Sequence, residues 1–224
     1  MITVGLKQKK KAAYLIAALK ELYPQVYCEL NFKEPHELLI ATRLSAQCTD
    51  KRVNLVTPIL FSRYKTIADF AKADIAEIEK IIKSCGLFKT KSKDIVFMCQ
   101  ILVSDYDEKV PDDIEDLLKL PGIGRKTANL IMGELYKKPA IVTDTHVIRL
   151  SNRLGLSAGK NAHKIEKALL KLIPPSESLD FCHRLVWYGR QICTAKSPKC
   201  GECVISKYCI NLSKNKTELL YKNL

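Results

Sequence analysis

Leu120-Pro-Gly-Ile-Gly-Arg-Lys-Thr-Ala-Asn129 is the stretch on which the reading of this chain turns. An apolar segment with Ile114, Leu117 and Leu118 runs into it, and Ala128, Leu130, Ile131 and Leu135 follow at helical spacing. Two short helices joined by a glycine hairpin, over residues 113–135, are the implied unit. Gly122 and Gly124 tolerate positive φ and carry no Cβ, so the backbone N–H groups of the turn can sit against a bulky anion such as a phosphate. Lys126 falls in the first turn of the second helix. There the helix dipole and the adjacent Arg125 both disfavour a charged amine, which is a setting for a nucleophile.

The charge balance agrees with an anionic partner. Of 224 residues, 37 are Lys or Arg and 24 are Asp or Glu, a net charge of +13 on a chain that is otherwise ordinary in composition. Such an excess favours nucleic acid over an acidic membrane surface. The N-terminus turns basic at Lys7, Lys9, Lys10 and Lys11 with no apolar signal-peptide core behind it, and no apolar run approaches the roughly 18 to 20 residues of a membrane span. An intracellular, soluble protein is expected, of the cytoplasm or nucleoid if bacterial. In that compartment nine cysteines read as metal ligands and buried thiols rather than disulfides.

The remaining pattern is helical throughout. Lys7 to Leu22 carries Leu15, Leu19 and Leu22 on one face and stops at Pro24; Pro35 opens a buried helix through Leu44. Thr49 and Asp50 cap a third helix with Pro58 as a kink, and Thr66/Asp69 and Asp74/Glu77 read as capping boxes. Leu87-Phe88, just past Gly86, is an apolar pair in a loop. Ile141-Val142-Thr143 has β-branched propensity but no partner strand, so it reads as an extended connection into a helix capped by Asp144. The fold class is therefore all-α. The mid-chain hairpin and the terminal cysteines suggest a central helical domain over 27–138, and a discontinuous one made of 1–26 plus 139–224.

Cys193, Cys200, Cys203 and Cys209 are separated by six, two and five residues, with Pro198 and Gly201 at the bends. Four thiolates so spaced can converge on one centre, and zinc and a cubane iron–sulfur cluster both accept four. Spacing alone does not choose between them. Cys28, Cys48, Cys85, Cys99 and Cys182 lie scattered among apolar neighbours and read as packed thiols.

Leu120 to Asn129, Val142-Thr-Asp144-Thr-His146, the cysteine spacing, Leu44-Ser-Ala-Gln47-Cys-Thr-Asp50 and Gly86-Leu87-Phe88 together resemble the endonuclease III family of DNA glycosylases, from about Leu30 to Cys209. The resemblance implies a two-domain helix-hairpin-helix fold and a 4Fe-4S cluster on Cys193, Cys200, Cys203 and Cys209. It implies a nucleophile at Lys126, a carboxylate partner at Asp144, and Gln47 and Leu87 as the wedge that fills the gap left by an extruded base. His146 is a possible pocket residue. The expected partner is double-stranded DNA with damaged or abasic sites, no membrane is involved, and the enzyme is expected to act as a monomer.

The expected reaction is excision of oxidised pyrimidines followed by strand cleavage through a lysine Schiff base and β-elimination. With a reference pKa near 10.4, only a few parts in ten thousand of a lysine amine are neutral at pH 7, so its surroundings must favour the free base. One alternative is a monofunctional adenine or mismatch glycosylase; such relatives typically lack the lysine. Another is a non-catalytic iron–sulfur DNA-binding module, which leaves Lys126 and Asp144 without work. Thr143 and Cys48 depart from the family pattern without removing a catalytic group.

Overall fold

The computed structural model describes residues 5–212, and every regular element among them is helical. In chain order these are α1 (Leu6–Leu22), α2 (Pro35–Leu44), α3 (Asp50–Arg63), α4 (Ile67–Ala71), α5 (Ile75–Ile82), α6 (Phe88–Asp105), α7 (Ile114–Lys119), α8 (Arg125–Tyr136), α9 (Thr145–Arg153), α10 (Ala162–Leu170) and α11 (Ser178–Gln191). Short 3-10 turns include Lys83–Cys85, Cys200–Glu202 and Ser206–Tyr208. The stretch Ile141 to Thr143 is an extended connection, as its lack of a partner strand implied.

The chain divides into two compact units. Cys28–Lys137 forms a continuous unit of α2 to α8. The described residues up to Tyr27, with those from Lys138 onward, form a discontinuous unit of α1 and α9 to α11.

In the continuous unit α6 is the central spine, packed against α4 and α5, while α8 packs against α2 and α7. Leu38, Leu39, Ile40, Leu44, Leu60, Phe70, Ile78, Met98, Leu102, Leu117 and Ile131 close one apolar core. Local signals set the helix starts. The Thr66 hydroxyl accepts from the Asp69 N–H while Asp69 accepts from the Thr66 N–H, a complete capping box. The Asp74/Glu77 box does not form. Asp74 accepts from the Ala76 N–H, but Glu77 turns to Arg63 at 2.5 Å and to the Tyr64 hydroxyl at 3.2 Å, because a guanidinium outcompetes a backbone amide for the carboxylate. The helix α3 continues through Pro58 to Arg63.

In the discontinuous unit α11 packs against both α1 and α9. Leu15, Leu19, Val147, Leu150, Ile165, Leu169, Phe181, Leu185 and Tyr188 are among its buried apolar residues. Its polar anchor is Arg184 on α11, only 1% exposed, which donates to the Tyr23 carbonyl at 3.1 Å, to Glu177 at 3.1 Å and to Asp180 at 3.2 Å. Lys20 of α1 reaches the same Glu177 at 2.7 Å. A cation taken out of water is costly unless fully bonded, and here the Tyr23 carbonyl and the Glu177–Lys20 pair also fasten the end of α1 to α11.

Replacing Arg184 with Met should strand these acceptors and cost about 2–3 kcal/mol, less than for a fully buried pair because Asp180 and Glu177 still touch solvent. A denaturant titration reads the loss. Lys20 first, and Arg184 after it, hold the Glu177 carboxyl below its usual range. The stabilisation is therefore complete above the ordinary carboxylate pKa and is lost as pH falls through the depressed value, so the wild type and Arg184→Met midpoints should converge on acidification.

Candidate functional site

The hairpin is built as its sequence dictates. Asp113 caps α7 by accepting from the Glu115 and Asp116 N–H groups, and the chain then turns through Gly122 into α8, with Gly124 at its N-cap. The two glycines do different work. Gly122 adopts φ +75°, and a Cβ placed on it would stand 2.3 Å from Nε of Arg43, 2.5 Å from its Cδ and 2.7 Å from Oδ2 of Asp94. Gly124 has φ −100°, and a Cβ there would meet nothing within 4 Å. Positive φ is thus used at Gly122 alone, although both glycines allow it. Gly122 leaves room for a buried ion pair; Gly124 keeps the outer backbone of the turn bare.

That ion pair joins two helices beneath the turn. Arg43 on α2, 9% exposed, donates from Nε at 2.7 Å and approaches through Nη2 at 2.6 Å the same Oδ2 of Asp94 on α6. Sequence reasoning missed it. No local pattern connects residues 51 apart, although an arginine beside the apolar run Leu38 to Ala41 was a visible signal.

Lys126 lies in the first turn of α8 with its side chain exposed. Arg125 beside it comes within 4.0 Å of Glu115 on α7. Gln47 and Leu87 both adopt left-handed backbone, with φ 55° and 49°. Non-glycine residues take that conformation rarely and at a cost of about 1–3 kcal/mol, and such strain gathers at functional sites. Leu87 is 52% exposed, whereas its neighbour Phe88 packs against the core. The apolar pair therefore splits: one residue packs and the other is presented.

In the discontinuous unit Asp144 caps α9, its Oδ1 accepting from the Val147 N–H at 2.7 Å. His146, the second residue of the same helix, is half-buried. Its Nδ1 accepts from Arg149 at 3.1 Å, and Gly189 on α11 leaves room for the ring, since a Cβ there would stand 2.7 Å from Nδ1. Burial holds the imidazole below its ordinary pKa, with Asp144 opposing.

Cys193, Cys200, Cys203 and Cys209 line one cavity of about 170 Å³ together with Arg153, Lys196 and Lys199. Among the described residues no three His, Cys, Asp or Glu side chains converge as ligands of a single ion would; the four thiols stand instead around a shared void. Two donors already point at sulfur. Arg153 Nη1 lies 3.2 Å from Sγ of Cys193, and the Tyr188 hydroxyl lies 3.0 Å from Sγ of Cys203. Such bonds suit thiolates, and their charge suits a multi-atom anionic group.

The loop entry is held from α9. Arg149 donates to the carbonyls of Cys193 and Gly189, and Arg153 to those of Thr194 and Ala195. These arginines and Tyr188 were also missed. Their signal was the i, i+4 spacing of Arg149 and Arg153, which puts both on one helix face.

Residues 40–175 match the model of the HhH-GPD superfamily of base excision DNA repair proteins, and residues 193–209 match the iron–sulfur binding domain of endonuclease III. The endonuclease III of Synechocystis is 45% identical over 203 residues, 90% of this chain and 93% of the relative. That of Bacillus subtilis is 40% identical over 201 residues, 89% and 92%. This chain belongs to the endonuclease III family. A solved endonuclease III trapped as a covalent intermediate with DNA superposes with a TM-score of 0.87 at 40% identity, covering 93% of this chain and 98% of that one. The chain is accordingly an all-α helix-hairpin-helix DNA glycosylase and AP lyase of base excision repair that carries a 4Fe-4S cluster and acts on DNA. Among the described residues no helix is long and apolar enough to cross a membrane.

The two hairpin glycines give opposite expectations. Gly122→Ala should lose roughly 2–4 kcal/mol of stability, from left-handed strain plus displacement of the Arg43 and Asp94 pair. Gly124→Ala should change stability by about 1 kcal/mol or less, yet weaken duplex binding because the added methyl stands on the bare outer backbone of the turn. Unfolding midpoints and duplex Kd values, measured for both variants, separate the two roles.

Proposed function

We propose that Lys126 is the nucleophile of this family member and Asp144 the carboxylate that takes up its proton and steadies the positive charge developing on the sugar. The observation that carries this reading is the placement of Lys126 in the first turn of α8, directly after the hairpin whose bare backbone suits a phosphate. The neutral amine attacks C1′ of the damaged nucleotide, the N-glycosidic bond breaks and the base departs with the bonding electrons. Ring opening gives a Schiff base, and loss of a proton from C2′ expels the 3′ phosphate by β-elimination. A second water-borne step then hydrolyses the imine and frees Lys126.

Gly122, Gly124 and Arg125 position the backbone of the damaged strand. Gln47 and Leu87 fill the space left by the extruded nucleotide, the amide facing the orphaned base and the leucine stacking. Their exposure and left-handed backbone support that role. Oxidised pyrimidines and abasic sites in duplex DNA are the substrates, and the enzyme acts as a monomer inside the cell. Cys193, Cys200, Cys203 and Cys209 hold the cluster, which when bound cross-links the loop and fixes the lysines around it toward a phosphate backbone. Arg153 and Tyr188, which reach the Cys193 and Cys203 sulfurs, would donate hydrogen bonds to two of its thiolates.

A duplex with one oxidised thymine tests these roles. Lys126→Ala should lose at least about 10³-fold in strand cleavage and give no borohydride-trapped adduct, and Asp144→Asn should fall about 10²- to 10⁴-fold. An adduct that persists in Lys126→Ala overturns the lysine assignment; base release without any adduct in the wild type identifies the monofunctional reading instead. Separately, purified protein should absorb in the visible blue and contain four irons per chain, about four by the cluster's composition. Cys200→Ser should lose both, and a colourless chain with stoichiometric zinc would contradict the ligand assignment.

A further inference from the structure

Lys91, near the start of α6, is 0% exposed. Its ammonium donates to the carbonyl of Leu44 at 2.7 Å and to the carbonyl of Cys85 at 2.9 Å. Leu44 ends α2, three residues before Gln47; Cys85 ends the 3-10 turn, two residues before Leu87. One buried cation therefore ties together the roots of the two segments whose tips take strained backbone.

We propose that Lys91 is a positioning residue for duplex DNA, which sets the spacing and rigidity of the Gln47 and Leu87 segments so that they enter the stack as one wedge. The inference rests on the gap-filling role given to those two residues above. Three physical arguments support it. Carbonyls at helix C-termini lack intrahelical partners and attract cations. A buried ammonium is expensive, and an apolar side chain of the same length would fill the space without leaving a charge to solvate. Finally, left-handed backbone at non-glycine residues persists only where the surroundings over-determine it, and the Lys91 bonds lie immediately upstream of Gln47 and Leu87, two of the five such residues among those described. The groups that face the ammonium are the Cys48 and Cys85 thiols and the Arg43 guanidinium, so its hydrogen bonds to carbonyls are what hold it.

The test compares holoenzymes on two substrates: a duplex carrying one oxidised thymine, which must be extruded and its gap filled, and single-stranded abasic DNA, which requires neither. Lys91→Met should lower kcat/KM on the duplex about 10- to 100-fold, as expected for two buried acceptors left unpaired, while borohydride trapping on the single strand changes less than about 3-fold. Lys91→Gln, which retains a donor, should lie between and serves if the Met variant does not fold. In a Gln47→Ala, Leu87→Ala background, Lys91→Met should add little further loss on the duplex, because the wedge it positions is gone. Parallel losses on both substrates, or full additivity with the wedge substitutions, would show a merely structural lysine and overturn the proposal. If Gln47→Ala, Leu87→Ala itself leaves duplex activity unchanged, the gap-filling role fails and the positioning role with it.

Discussion

A guanidinium and a carboxylate meet beneath a glycine, and the shape of the DNA-binding hairpin depends on that contact. Arg43 on α2 and Asp94 on α6 occupy the volume that any side chain at position 122 would need. Buried ion pairs are weak contributors to net stability, because desolvation offsets most of the attraction. What this one contributes is position. It sets the turn, the turn sets the start of α8, and α8 carries Lys126 one residue past its first.

The same economy recurs with other buried cations. Lys91 spans two carbonyls at the roots of Gln47 and Leu87, and Arg184 ties the end of α1 to α11. Each is a buried cation held at least in part by carbonyls that helices leave unsatisfied at their ends, Arg184 by two carboxylates as well. In the discontinuous unit α9 has both tasks at once: Asp144 caps its N-terminus, while Arg149 and Arg153 along its length hold the entry to the cysteine loop. One helix thus joins the cap at Asp144 to the anchors of the cysteine loop.

Much of this was legible in the residues. Helical periodicity, proline and glycine stops and the Thr49, Thr66 and Asp144 caps are local, so they announce themselves in sequence. The cysteine spacing was likewise readable as one centre, and family resemblance rather than spacing chose iron–sulfur over zinc. The contacts that could not be read are those between residues far apart: Arg43 with Asp94, Lys91 with Leu44, Tyr188 with Cys203. The Asp74/Glu77 box failed for the same reason, since its competitor Arg63 sits on another helix. Both hairpin glycines tolerate positive φ and only Gly122 uses it; the φ of Gly124 shows that there glycine serves bareness instead.

The central claim is that one amine, on the turn after the hairpin, forms the bond to the sugar. Reductive trapping of the wild-type holoenzyme on abasic duplex, followed by proteolysis and mass spectrometry, locates that bond directly. The sugar remnant should lie on the peptide that contains Lys126 and on no other. A remnant on Lys91, on another lysine or on the N-terminal amine would contradict the account.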